Sequence, residues 1–125
     1  MAPFGGGLGS TGGVCGTLAG ALAVIGFTMG KTDVKERDHR LMWKLSYRMV
    51  KKFEEITAEY GGTNCADIAG VNWKDRQDVK DFYRDTQGRR QNCVRVIRLT
   101  CEYLQQLMAE NPVTDPSPSG AGAEK

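Results

Sequence analysis

The sequence predicts an all-α protein, a small helical bundle built around a glycine-rich central helix that a glycine-rich loop precedes. Three observations carry this. Apolar residues recur at helical spacing in several stretches, with charged residues between them. No stretch alternates apolar and polar residues as a half-buried strand would. From Phe4 the chain carries no charge until Lys31, and this run holds most of the glycines. A length of 125 residues suits one domain with a real core. We place that domain at residues 1–110 and a disordered, Pro/Ser/Gly-rich tail at 111–125.

Taken in order, residues 1–13 read as loop, with Gly5, Gly6, Gly7, Gly9, Gly12 and Gly13 as breakers and Ser10 or Thr11 as N-caps. Small apolar residues then predict a helix over 13–29. Gly16 and Gly20, and again Gly26 and Gly30, stand four apart, a spacing that lets another backbone approach closely. Each interior glycine costs about 1 kcal/mol in helix propensity, so this helix should be packed on several sides. Thr32 or Asp33 should cap a second helix, with Glu36 at capping-box distance from Asp33. Its apolar stripe is Val34, Leu41, Leu45, Met49, Phe53, Ile56 and Tyr60, and Gly61 and Gly62 end it. A short helix over 65–69 stops at Gly70. Residues 72–86 are polar, with Trp73, Val79, Phe82 and Tyr83 as large apolar anchors, and read as a helical turn inside a loop. The last helix runs over 90–109 with a stripe of Cys93, Ile97, Cys101, Leu104 and Met108.

Composition excludes several classes. A net charge of +2, with Lys and Arg dispersed among acids, does not describe a nucleic-acid binder. The apolar heart of the uncharged run, residues 14–29, is shorter than the roughly 20 residues of a membrane span and is diluted by glycine and threonine. No basic segment precedes it, as a secretory signal requires. The expectation is a cytoplasmic protein.

Four cysteines remain to carry chemistry: Cys15, Cys65, Cys93 and Cys101. None forms the C-x-x-C of a zinc knuckle or a thioredoxin-like motif. Cys93 and Cys101 lie eight apart on one helix, about 12 Å at 1.5 Å per residue, beyond the roughly 7 Å a disulfide tolerates. Cys101 falls in mid-stripe and reads as core. Cys15, Cys65 and Cys93 each fall near a helix N-terminus, where a thiolate is favoured. The plain alternative for all of them is a small buried thiol. His39, among Arg37, Asp38 and Arg40, reads as a solvated residue on its helix. The loop string GLGSTG matches G-x-G-x-x-G through Gly7, Gly9 and Gly12, but no strand precedes it and no βαβ unit follows. What survives is a generic anion or cofactor cradle of backbone N–H groups.

The order of these motifs resembles the C-GCAxxG-C-C family of small redox-active bacterial and archaeal proteins. A glycine-rich F-G-G-G-x-G loop leads into C-G-x-x-x-G-A, an isolated T-N-C-x-x-x-x-G cysteine follows, and a last cysteine opens the C-terminal helix. Phe4, Gly5, Gly6, Gly7, Gly9, Cys15, Gly16, Gly20, Ala21, Gly26, Gly30, Cys65, Gly70 and Cys93 carry the resemblance, which spans most of the chain. It implies an all-helical domain whose cysteines serve redox chemistry or ligate an iron–sulfur or other metal centre. A similar domain occurs in split-Soret cytochromes, but the haem-attachment motif is missing here. CGTLAG stands where the family has GCAxxG. The family's first cysteine lies on a helix upstream of the glycine loop, so this chain either lacks that helix or lacks that cysteine.

The functional expectation is therefore a redox protein using Cys15, Cys65 and Cys93. They would act in thiol–disulfide exchange with a partner protein, Cys15 attacking, or as metal ligands. The competing expectation is a non-catalytic helical module with structural cysteines, whose glycine helix packs on a twin subunit or a partner.

Overall fold

The computed structural model describes residues 2–112; the expected tail from residue 113 onward lies outside the described residues. Five helices account for the fold: α1 (Gly16–Met29), α2 (Met42–Thr57), α3 (Cys65–Ala69), α4 (Arg76–Arg84) and α5 (Arg90–Glu110). Short 3-10 turns stand at Ala2–Phe4 and Ala58–Tyr60. Among the described residues there is no strand, only an isolated bridge between Val14 and Asn64. The protein is all-α.

Helices α1, α2 and α5 pack on one another as a three-helix bundle, and α3 rests on α5. Each supplies one apolar stripe. α1 buries Leu18, Ala21, Ile25 and Met29; α2 buries Leu45, Met49, Phe53 and Ile56; α5 buries Val96 and Leu107. Burying side chains of this size contributes about 1.5–3 kcal/mol each. A second, smaller cluster of Ala69, Val71 and Phe82, with Trp73 and Val79 against it, seats α3 and α4. Arg89 ties this corner together. Its guanidinium donates to the Gly70 carbonyl (2.7 Å) and pairs with the Asp78 carboxylate (2.9 Å), which holds the Asp78 carboxyl below its ordinary range.

Several expectations are corrected. α2 begins at Met42, not near Asp33, because side chains take over the backbone groups before it. The Asp33 carboxylate accepts from Lys35 N–H (2.9 Å) and Asp38 from Lys31 N–H (2.8 Å). Val34 is consequently exposed. His39 is not on a helix face. Its N–H donates to the Met29 carbonyl at the end of α1 (2.7 Å), and its Nδ1 accepts from Leu41 N–H (3.1 Å). Residues 76–84 form a full helix, α4, where a single turn was expected. Asp75 caps it by accepting from Gln77 N–H (3.0 Å) and Asp78 N–H (3.4 Å).

The packing of α1 and α5 also differs in detail. Only Gly16 has another backbone against it: a Cβ there would lie 2.7 Å from the Phe4 carbonyl oxygen. Gly20 and Gly26 face open space, and Val24 and Phe27 are exposed. On α5 the buried register is Val96, Thr100 and Leu107, which turns Ile97 and Cys101 outward. One residue is about 100° of helix, so a stripe read one position late exposes what it was meant to bury.

Candidate functional site

The glycine-rich entry is a compact left-handed turn. Five consecutive residues, Gly6 to Ser10, have φ between +60° and +73°. The region costs a side-chain-bearing residue about 1–2 kcal/mol, and Leu8 and Ser10 accept it. The turn is closed by its own amides: Gly9 N–H donates to Pro3 C=O (2.6 Å), Gly12 N–H to Gly6 C=O (2.8 Å) and Gly13 N–H to Gly7 C=O (3.1 Å). Those amides are therefore committed within the loop.

The turn then lies against the start of α3. Cys65 N–H donates to Gly13 C=O (2.7 Å) and Ala66 N–H to Gly12 C=O (3.1 Å). These bonds satisfy two donors that a helix start otherwise leaves open. Asn64 and Asp67 complete the start with a capping box. Gly7 and Gly12 are buried at this contact. A Cβ at Gly7 would stand 2.7 Å from Cys65 Cβ, and one at Gly12 would stand 2.7 Å from Trp73 Cδ1. Gly9 meets nothing within 4 Å. Gly7 and Gly12 thus serve close packing, whereas Gly9 serves the shape of the turn.

This contact gathers three thiols. Cys15 is the N-cap of α1, Cys65 is the first residue of α3, and Cys93 stands one turn into α5. All three are half-buried and reduced. Cys15 and Cys93 pack on the main core, and Cys65 and Cys93 on the smaller cluster, so Cys93 bridges the two. The thiols interact electrostatically. Burial first, and then negative charge on Cys15 and Cys93, pushes the Cys65 thiol up to about 11. Burial and charge on Cys15 raise Cys93. For Cys65 and Cys93 the expected helix-terminus effect is therefore outweighed, and both keep their protons at neutral pH.

Trp73 was an anchor in the sequence reading and proves to be part of this site. Its Nε1 is buried without a geometrically complete hydrogen bond. The indole N–H nonetheless lies close enough to Cys65 to favour its thiolate, against the effect of burial. The ring makes edge contacts with Phe82 (6.0 Å between centroids) and Tyr83 (6.3 Å). The signal for it in the sequence was a tryptophan in an otherwise polar stretch.

Cys101 stands apart, two turns beyond Cys93 on α5 and exposed. The described residues contain no group of three or more His, Cys, Asp or Glu side chains disposed to hold a metal ion. As arranged, the three thiols do not form a ligand cage. No helix among these residues is long and apolar enough to cross a membrane.

Fold and site together define an all-helical protein that holds three reduced thiols beneath a glycine-rich turn. The chain belongs to the family described as "Putative redox-active protein (C_GCAxxG_C_C)", whose model matches residues 1–107. No curated protein and no solved structure matches the chain.

Proposed function

We propose that the protein carries out thiol–disulfide exchange with Cys15, Cys65 and Cys93 as the reacting set. The observation that supports this most is the packing of three thiols from three helix starts around one contact, Cys93 shared by both apolar clusters and Cys65 raised in part by Cys15 and Cys93. Membership of a family described as redox-active supports it independently. Cys15 is the attacking group in this reading, because burial above all raises the Cys65 and Cys93 thiols and makes them poor first nucleophiles. The Cys15 thiolate attacks one sulfur of a partner protein's disulfide; that S–S bond breaks, and the partner's leaving sulfur takes up a proton. Cys65 or Cys93 then gives up its proton and attacks the mixed disulfide at Cys15. The second partner sulfur leaves, and an internal disulfide forms. Two electrons and two protons have passed to the partner disulfide.

Trp73 helps the second step by stabilising negative charge on Cys65 as it deprotonates. No step runs through a metal. The test is a thiol count under denaturing conditions after equilibration with oxidised glutathione, with the new bonds mapped by mass spectrometry. The expected result is loss of two thiols in the wild type and in Cys101→Ser, and no internal disulfide in Cys15→Ser. Four thiols surviving, or modification confined to Cys101, would refute the assignment. Reproducible iron and sulfide in anaerobically purified protein would replace direct exchange with a cluster.

A further inference from the structure

Among the exposed large apolar side chains, the four most exposed follow one another along the chain: Phe27 (92 %), Val34 (86 %), Trp43 (74 %) and Tyr47 (64 %). They gather at one end of the bundle. Phe27 is in the last turn of α1, and Trp43 and Tyr47 are in the first turns of α2. Val34 lies in the segment between, which is pinned to the end of α1 by the bond from His39 N–H to the Met29 carbonyl (2.7 Å). Cys15 caps the other end of α1, about 21 Å away for 14 residues at 1.5 Å each.

Charge divides in the same way. Residues 27–48 carry six Lys and Arg against three acids, which leaves the rest of a +2 chain slightly negative. Each of the three acids is engaged on the segment's own backbone: Asp33 accepts from Lys35 N–H (2.9 Å), Asp38 from Lys31 N–H (2.8 Å) and Glu36 from Thr32 N–H (3.4 Å). On α2, Lys44 and Arg48 each follow an exposed aromatic by one position, about 100° around the helix, so cations flank the rings. Beyond Arg48 the charges balance, Lys51 pairing with Glu54 (3.3 Å) and Lys52 with Glu55 (3.8 Å).

We propose that this end of the bundle docks on an anionic lipid surface, Phe27, Val34 and Trp43 entering the headgroup region and Lys44 and Arg48 meeting lipid phosphates. Clusters of Lys and Arg of this size are drawn to anionic leaflets, and tryptophan and tyrosine settle at the membrane–water boundary. The apolar tips stand on three separate elements. A rigid partner would have to offer a matching hollow for each, whereas a fluid interface takes them at any spacing. A second copy would set two positive ends against each other. Docked in this way, the molecule holds its thiols away from the lipid, and the proposal is independent of the thiol assignment.

The test is sedimentation of the full chain with phosphatidylcholine vesicles, with and without about one third phosphatidylglycerol. The expected result is binding at least tenfold tighter to the anionic vesicles, weakening as salt is added, with Trp43 fluorescence quenched by brominated acyl chains. Lys44→Gln should weaken binding about fivefold, and Phe27→Gln at least tenfold. Both replace exposed side chains and should melt as wild type does. Trp43→Phe should still bind but lose the quenching. Equal or absent binding to the two vesicles, or binding that Phe27→Gln leaves unchanged, would overturn the proposal. So would tight binding to polyglutamate without quenching of Trp43 on vesicles, which would make an acidic protein the occupant.

Discussion

Replacing Gly7 by alanine tests whether the glycine turn positions Cys65 or merely precedes it. Three effects combine. Alanine at φ +73° costs about 1–2 kcal/mol. Its methyl would stand 2.5 Å from Gly13 N and 2.7 Å from Cys65 Cβ, an overlap of the kind that costs about 1–3 kcal/mol when neighbours must shift. Against these, alanine narrows the unfolded ensemble, worth about 0.4–1 kcal/mol. The net expectation is a loss of about 3 kcal/mol, a large share of the 5–15 kcal/mol typical of a domain. Gly9→Ala is the control. Its φ of +63° is similar, but nothing lies within 4 Å, so its loss should be about 1 kcal/mol. Urea unfolding of both variants gives the difference, which isolates the packing of Gly7 on Gly12, Gly13 and Cys65. Gly7→Ala should also change the alkylation rate of Cys65, and Gly9→Ala should not. Equal losses in the two variants would show that Cys65 is not held by this contact.

Two further outcomes follow from the thiols. The folded state raises Cys65 from an ordinary 9.0 to about 11, so its contribution to stability is complete below pH 9 and is lost as pH climbs from 9 to 11. After discounting for its half-exposed position the loss is about 1 kcal/mol, and it should vanish when wild type is compared with Cys65→Ser by urea unfolding across that range. Trp73→Phe removes the N–H that favours the Cys65 thiolate, so the midpoint of Cys65 alkylation against pH should rise; an unchanged midpoint would show that the indole acts only as packing.

Much of the helical content was legible because periodicity and punctuation agreed. The core of α2, from Leu45 to Ile56, and the bounds of α3, set by Asn64 and Gly70, follow from signals a few residues long. The start of α2 was obscured because Asp33 bonds the N–H two residues on in a turn much as it would at a helix cap, while Asp38 reaches back to Lys31 N–H. α5 is apolar enough around its girth that two stripes fit, and the one actually buried includes a threonine. That is why Cys101 looked like core. The glycine turn was legible as a breaker but not as a left-handed turn. Leu8 and Ser10 adopt φ values that their identities argue against, and only the surrounding bonds hold them there. Cys15, Cys65 and Cys93 could be picked out by position, but their meeting depends on how the turn docks on α3, which no local signal states.

The reactivity of the site is decided by a contest between two effects that the sequence set in the same place. A helix N-terminus stabilises negative charge by about 0.3–1 kcal/mol at ordinary exposure. Moving a thiol from 9.0 to about 11 represents about 2.7 kcal/mol at full value and roughly half that at a half-exposed position. Burial therefore wins at Cys65, and in the same direction at Cys93. The chain begins α3 and α5 near these cysteines but then covers them, Cys65 with the Gly7 turn and Trp73, Cys93 with both apolar clusters. A thiol so covered is a poor first nucleophile and a well-shielded second one. If exchange begins at Cys15, as proposed, such a pair would react second, attacking the mixed disulfide formed there. Trp73 fits that order, since its N–H is of most use to Cys65 once the thiolate forms.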